Sequence, residues 1–383
     1  MRTTNGSLHS NTSGANAALS SSLPGDQKIV EAFLYCVIVF LGLVGNSLVI
    51  HLVRTTRAMQ TTTNYLLVNL AAADCLTLVW STPLHIFSIA YTHPGGTLGS
   101  WLCKLFTANN MAGITLAVSV YTLTLLSVER YHALLKPLSY RRLSEENVIY
   151  AIGAAWVLAT VTQIPVFHFT KFDDRKGRCS SPWTARDTAQ TMKYFVIGII
   201  TINIFIPIVV VSVCYSVLVN GLYCRNTIMA GRSTHGKKSR EADIRSKKKI
   251  IKLLIVVTLA FFLCFLPFAV VMVLFALGSF KNYSPSDMVQ LLIVFEVTKF
   301  LLYTNSSLNP ILYAFQSTNY RNGFKRILLC GTANSRVRPK GENTEGTFRQ
   351  MQPPTSISSS KEIGGKKSWY GASNGNDKSI TTL

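Results

Sequence analysis

Asp74 ends the stretch Leu70-Ala71-Ala72-Ala73-Asp74, inside an almost unbroken apolar run. A carboxylate in such surroundings is costly unless a cation or several hydrogen-bond donors stand beside it. Other apolar runs carry polar residues of their own: Asn46 after Gly45, then Ser119, then Asn305, Ser306 and Asn309. Folded side by side, these runs could gather around the single carboxylate. Each residue taken alone also suits an ordinary interhelical hydrogen bond. Glu129 and Arg130 form a second charged point, where another apolar run gives way to a basic segment. Cys103 and Cys179 stand in polar connecting segments, whereas Cys36, Cys75, Cys214 and Cys264 lie within apolar runs, where a thiol behaves as a small hydrophobe. None has the paired CxxC spacing of a zinc site.

Long helices must position these groups. Charged residues make up 14% of the 383, against about 25% in an ordinary soluble domain, while 48% are hydrophobic. Seven runs reach the roughly 20 apolar residues that cross a hydrocarbon core. They cover about 28–53, 64–91, 101–131, 148–169, 192–222, 249–277 and 288–315. At these lengths only helices satisfy their own backbone in lipid. The fold class is therefore all-α, a seven-helix transmembrane bundle forming one domain over residues 28–330. The first run lacks a small-residue cleavage pattern and reads as a true span rather than a removed signal peptide. Residues 1–27 form an outer tail. Residues 331–383, rich in Ser, Thr, Gly, Asn and Lys, cannot offset their ordering entropy and read as a disordered cytoplasmic tail.

Lys and Arg outnumber Asp and Glu by 38 to 17, and the excess sits in loops between apolar runs, which argues for an anionic membrane surface and against nucleic acid. With the N-terminus outside, the inner segments hold Arg54, Arg57, Arg130, Lys136, Arg141 and Arg142. The third inner loop, Arg225–Lys249, is more basic still. The longest outer loop offsets its cations with Asp173, Asp174 and Asp187. The positive-inside rule accordingly places the N-terminus outside. The triplets Asn5-Gly-Ser and Asn11-Thr-Ser agree, as acceptors for glycosylation at Asn5 and Asn11.

One landmark per run, in order, now makes a pattern. It consists of Asn46, then Leu70–Asp74, then Glu129-Arg130-Tyr131, Trp156, Pro207 with Tyr215, Pro267, and Asn309-Pro310-Ile311-Leu312-Tyr313. Together they identify the chain, over about residues 28–330, as similar to the rhodopsin-like G-protein-coupled receptors, in particular those of neuropeptide type. The resemblance implies that Asp74, Ser119, Asn305 and Asn309 hold a sodium ion in the resting receptor. Carboxylate and neutral oxygens suit a hard cation. It further implies that Glu129 restrains Arg130 at rest, that Arg130 later receives the G protein's C-terminal helix, and that Tyr131, Tyr215 and Tyr313 belong to the same activation machinery. Pro207, Pro267 and Pro310 each remove a backbone hydrogen bond and permit a kink. Cys103 and Cys179 match the family's outer disulfide, in a compartment where such a bond persists.

Two departures accompany the match. Arg130 follows Cys103 by 27 positions, slightly more than the family pattern implies, so a bulge is expected at the top of the third span. Phe265, four residues after Phe261, stands where the family usually has Trp, which leaves an aromatic trigger without an indole donor.

The ligand class is read from what is missing as well as what is present. Ala112 occupies the place of the acid that amine receptors use, and Tyr303 the place of an opsin's retinal lysine. Glu296 and Lys299 pair on one helix face. With Lys193, His168, Gln163, Asn109 and Asn110 they make a mixed-charge rim, and Phe268 and Tyr303 belong to the same pocket. A peptide, carrying both charges and many amides, suits that rim. The alternative is a lipid or small anionic ligand. A membrane transporter would call for repeated halves, and none is found. Nor is there GxSxG, HExxH, a Walker loop or a GxGxxG in a strand–helix setting, so the chain is not read as an enzyme.

After the last span, residues 318–329 place Tyr320, Phe324, Ile327 and Leu328 at helical spacing, with Arg321, Lys325 and Arg326 elsewhere, as in an interfacial amphipathic helix. Cys330 at its end is a palmitoylation candidate. Further on, Thr355–Ser360 offers sites for receptor kinases and thereby for arrestin. Thr381-Thr382-Leu383 matches a PDZ ligand, which docks as an added strand.

Overall fold

Apolar side chains cover the outside of the bundle, and polar ones are gathered inside it within a larger apolar core. Phe33, Phe40, Val157, Val161, Val209, Val213 and Leu263 are exposed, whereas Asn46, Asp74, Ser119, Thr122 and Ser306 have no exposed surface at all. That inversion is what hydrocarbon surroundings select, because a lipid tail competes with Leu but not with an amide. The structure, a computed structural model, describes residues 25–90, 93–135, 143–144, 146–174, 177–180, 189–221, 237–277 and 284–330. Seven stretches within them are helical, long and apolar enough to cross a membrane: Ile29–Thr55, Thr62–Pro83, Gly96–Leu135, Asn147–Phe169, Tyr194–Val219, Lys248–Phe275 and Val289–Gln316.

The first span belongs to α1 (Gly25–Thr55) and the second to α2 (Thr62–Ala90). The third is composite: α3 (Gly96–Leu102), a π turn over Cys103–Thr107, and α4 (Asn110–Leu135). The fourth is α5 (Asn147–Phe169). A two-stranded hairpin follows, β1 (Lys171–Asp173) antiparallel to β2 (Arg178–Ser180), with Phe172 opposite Cys179. The fifth span is composite too: α6 (Ala189–Ile200), a π turn over Thr201–Phe205, and α7 (Ile206–Val219). The sixth and seventh lie in α8 (Lys237–Leu277) and α9 (Pro285–Gln316), and α10 (Thr318–Cys330) ends the described chain. By contacts the chain divides into Met1–Asn334 and Ser335–Leu383. The second unit, with the tail expected to be disordered, lies outside the described residues, as do Asn5 and Asn11.

Several boundaries correct the expectation. Helix α8 starts at Lys237, a dozen residues before the apolar run, because 237–248 is rich in Lys and Arg and contains neither Gly nor Pro. Once the span has nucleated, such residues extend it at little cost, and an apolar window cannot detect them. The third span begins at Gly96 rather than near Trp101. Pro207 follows a π turn, so the hydrogen bond it cannot donate is absorbed by a local widening of the helix. Pro267 and Pro310 lie inside continuous helices, and so do Pro83 and Pro165.

Helix α9 starts on a reciprocal cap. Ser284 Oγ accepts from Asp287 N at 3.3 Å, while Asp287 Oδ2 accepts from Ser284 N at 3.2 Å, and Pro285 follows at the first helical position. At the other end Ser317 turns extended and separates α9 from α10. Tyr320 and Phe324 of α10 are buried against the bundle, and Ile327 is half-buried against the same core. Leu328, expected on that face, is 64% exposed and projects outward beside Leu329, which is 69% exposed. It continues the four-residue step from Tyr320 through Phe324, but each such step drifts around a helix of 3.6 residues per turn, and the last carries Leu328 past the edge of the buried face.

Close packing sets one strict limit here. A methyl group added at Gly323 would stand 2.4 and 2.6 Å from the two terminal carbons of Leu52, itself fully buried in α1. Gly323→Ala must therefore displace the buried Leu52 side chain or shift α10 against α1, at a cost of about 1–3 kcal/mol. Thermal unfolding of purified protein measures it. Gly153→Ala is the control, since Gly153 is an exposed helical glycine with nothing within 4 Å, and it should hold or gain stability. Equal melting of the two variants would refute the tight α1–α10 contact.

Candidate functional site

Three polar layers lie along the axis of the bundle. The central one surrounds Asp74. Ser119 Oγ donates to Asp74 Oδ1 at 3.2 Å and Asn309 Nδ2 to Asp74 Oδ2 at 2.7 Å. Helices α2, α4 and α9 thus meet on one carboxylate. Asn305 is 1% exposed and both polar atoms of its side chain are without a hydrogen-bond partner, as is Asn46 Oδ1. Buried amides left unpaired cost about 1–3 kcal/mol each, so their retention here needs a reason. The Asp74 carboxylate and the Ser119 hydroxyl lie side by side, and oxygens of these kinds suit a hard cation. Asn46 holds the first span to the seventh by donating Nδ2 to Ser306 O at 2.8 Å.

A second layer, at the C-terminal end of the third span, is built on Glu129 and Arg130. Arg130 Nε donates to Glu129 Oε2 at 2.6 Å, and Thr63 Oγ1 of α2 donates to the same oxygen at 3.3 Å. The side chains are 14% and 4% exposed, so the pair is well shielded. Tyr131, next in sequence, is half-buried and meets His132 edge-on. Tyr215 of α7 shares a hydrogen bond of 3.3 Å with Thr258 of α8. Tyr313 is 1% exposed and stacks near Tyr320 of α10, ring centroids 5.3 Å apart. Tyr320 in turn donates to Asn64 Oδ1 at 3.0 Å, and burial pushes its phenol well above the usual range. Above this layer Phe261 and Phe265 stack at 5.3 Å with nearly parallel rings, both buried. The aromatic pair expected from their spacing is therefore present, held by offset stacking and without an indole donor.

The third layer, at the N-terminal end of the third span, holds the disulfide. Cys103, in the π turn, is bonded to Cys179 of β2, with Cα atoms 5.4 Å apart. The bulge expected above Arg130 is present as that π turn together with a break at Asn109, whose φ is 59°. Asn110 is 2% exposed and donates Nδ2 to Lys104 O and to Thr170 Oγ1, and Gln163 is 8% exposed and packs against Gly113. Both were expected on an open rim. The structure buries both: the break turns Asn110 back into the bundle as a tie, and Gln163 packs against α4. His168 is exposed and rests edge-on against Phe169. The Lys193 side chain lies outside the described residues. Lys299 Nζ and Glu296 Oε2 are 2.5 Å apart, the pairing expected from their spacing, and Lys299 also sits 5.4 Å from the Phe295 ring centre. Phe268 lies 5.8 Å from the same ring, ring centre to ring centre. Tyr303, 2% exposed, accepts from Asn109 Nδ2 at 2.5 Å.

Other polar ties escaped the sequence reading. Asn203, in the fifth span's π turn, accepts from Tyr121 at 2.6 Å and from Thr162 at 3.4 Å, which binds spans three, four and five. Asn69 joins α2 to Thr122 and accepts from Trp156 Nε1. The available signal was each Asn or Thr inside an apolar run. Which of them faced a partner was not.

A family model described as the 7 transmembrane receptor (rhodopsin family) matches residues 45–313. The chain is 29% identical over 296 residues to an allatostatin-A receptor of Bombyx mori, covering 76% of each chain. It is 30% identical over 309 residues to a galanin receptor 2b of Danio rerio, covering 79% of this chain and 76% of that one. To a somatostatin receptor type 1 of Mus musculus it is 29% identical over 320 residues, covering 82% and 76%. The crystal structure of squid rhodopsin superposes with a TM-score of 0.68 at 20% identity, over 83% of this chain and 89% of that one, and agrees in fold.

Proposed function

We propose that this chain, which belongs to the rhodopsin family of seven-transmembrane receptors, binds an extracellular peptide and activates heterotrimeric G proteins. The observation that carries the reading is the Glu129–Arg130 pair, shielded and restrained by Thr63 at the end of the third span. An arginine held in this way is a charged group available to a protein partner once the pair opens. The peptide is supported by the outer layer, where Glu296 and Lys299 present opposite charges and buried amides line the break, and by relatives whose names are those of peptide receptors. A peptide-library screen on cells expressing the full chain, read by calcium and cyclic-nucleotide responses, tests it. A response confined to lipids or small anions would replace the peptide with the alternative.

The receptor resides in the plasma membrane with its N-terminus outside, by the charge asymmetry of its loops. Asn5 and Asn11 are its glycosylation sites. Asp74, Ser119, Asn305 and Asn309 would hold a sodium ion, which supplies a compensating charge for the carboxylate. At the inner surface Arg321, Lys325 and Arg326 of α10 face anionic headgroups. Receptor kinases and arrestin act on the Ser/Thr-rich tail, and a PDZ domain on Thr381–Leu383. Cys330 carries an acyl chain, worth about 0.8 kcal/mol per buried methylene. A palmitate analogue should label the wild type and spare Cys330→Ser. Equal labelling of both would remove the anchor and leave α10 to hold by Tyr320 and Phe324 alone.

A further inference from the structure

Thr97, Ser100, Trp101 and Lys104 recur at helical spacing, so one face of α3 and the π turn carries all four. A different face is used for packing: Gly99 lies against the Phe172 ring of β1, and Cys103 is bonded to Cys179 of β2. Asp174, the residue after β1, stands at the edge of the first face. Gly96 takes the left-handed conformation, φ 68°, that glycine permits, and its N–H donates to Asp174 Oδ1 at 2.8 Å. That bond fixes the carboxylate beside the helix. Gly96, Thr97, Ser100, Trp101, Lys104 and Asp174 together line an open cleft of about 450 Å³.

The cleft holds one charge of each sign. Among the described residues, neither Lys104 nor Asp174 has a counter-charge within ion-pair distance. Trp101 is 65% exposed, so an indole face stands open beside them. Indole and carboxylate together suit a quaternary ammonium, which asks for charge and an aromatic face but no hydrogen bond. Lys104, with the hydroxyls of Thr97 and Ser100, suits a phosphate. The cleft lies at the N-terminal end of a membrane span, the level of phospholipid headgroups, where indoles concentrate. We infer that it binds the phosphocholine headgroup of a membrane phospholipid, with the ammonium between Trp101 and Asp174 and the phosphate on Lys104. Trp101 and Lys104 belong to the span and Asp174 to the hairpin, so a bound headgroup bridges the two. Lipid composition thereby bears on the hairpin that Cys179 anchors.

Full-length protein carrying 5-fluorotryptophan, purified in maltoside, supplies the reporter, its Trp101 fluorine resonance identified by loss in Trp101→Phe. Dihexanoylphosphatidylcholine should shift that resonance saturably. Dihexanoylphosphatidylglycerol, which lacks the cation, should leave it in place at the same concentrations. Lys104→Gln and Asp174→Asn should each weaken the choline lipid about fivefold, the equivalent of about 1 kcal/mol for one exposed charge. Asp174→Asn retains an acceptor for Gly96 N, and Lys104→Gln leaves the backbone tie from Asn110 to Lys104 O untouched, so the hairpin and the π turn stay in place. Equal shifts with the two lipids, or wild-type affinity in either charge variant, would overturn the site and leave Trp101 as an interfacial anchor. Free phosphocholine separates the two sources of the headgroup. It should act only at much higher concentration than the lipid, and equal potency would assign the cleft to a soluble phosphocholine instead. Native mass spectrometry from bilayers mixing the two lipids gives a second readout. The wild type should retain choline lipid in excess and Trp101→Ala should lose that excess, whereas unchanged retention in Trp101→Ala refutes the site.

Discussion

Arg130→Ala is expected to keep ligand binding and lose most G-protein nucleotide exchange, at least tenfold in rate. The guanidinium is the charged group at the inner end of the third span that the closed pair with Glu129 withholds. Its removal leaves Glu129, 4% exposed, with Thr63 as its remaining partner in that pair. A buried carboxylate stripped of its cation is strongly destabilising, so some loss of folded protein is expected alongside the loss of signalling. Exchange must therefore be normalised to ligand-binding sites. Glu129→Gln separates the two effects. It retains Arg130, weakens the restraint, and should raise ligand-free exchange roughly tenfold, equivalent to about 1.4 kcal/mol of lost charge-assisted bonding. Full exchange in Arg130→Ala, or a silent Glu129→Gln, would remove the pair from the mechanism.

Asp74→Asn should abolish the effect of sodium on the protein. With sodium bound there, a concentration ten times its Kd would stabilise the resting state by about 1.4 kcal/mol through mass action. Thermal unfolding in sodium chloride against choline chloride at equal ionic strength measures this directly. The wild type should melt higher in sodium, and Asp74→Asn identically in both salts. The substituted amide can still accept from Ser119 or Asn309, so the fold is expected to survive. Agonist affinity should likewise lose its sodium dependence. A variant that keeps the sodium shift would place the ion elsewhere.

The seven spans were legible because crossing hydrocarbon demands long apolar helices whatever their neighbours do. The Cys103–Cys179 pairing and the roles around Asp74 and Arg130 entered through the family resemblance, and the structure brings the first pair, Asp74 with Ser119 and Asn309, and Glu129 with Arg130 together. Even the spacing from Cys103 to Arg130 announced an irregularity, later found as a π turn and a left-handed residue. Helix α8 was read too short because its inner third follows helix propensity rather than apolarity. Leu328 was misplaced because four apolar residues at near-helical spacing do not reveal which three face the core.

Composition and apolar run length by themselves determined a seven-helix membrane bundle, since the cost of an unpaired backbone in lipid leaves no other solution. Only the tertiary structure decided which buried amides work in pairs. Asn110 looked like a rim residue and is an internal tie, while Asn109 turned to Tyr303, 194 positions away. A single left-handed step redirects every side chain near it, and its consequences depend on what the neighbouring helices present. Hydrogen bonds are short and directional, so partners this distant in sequence become visible only when the helices are packed.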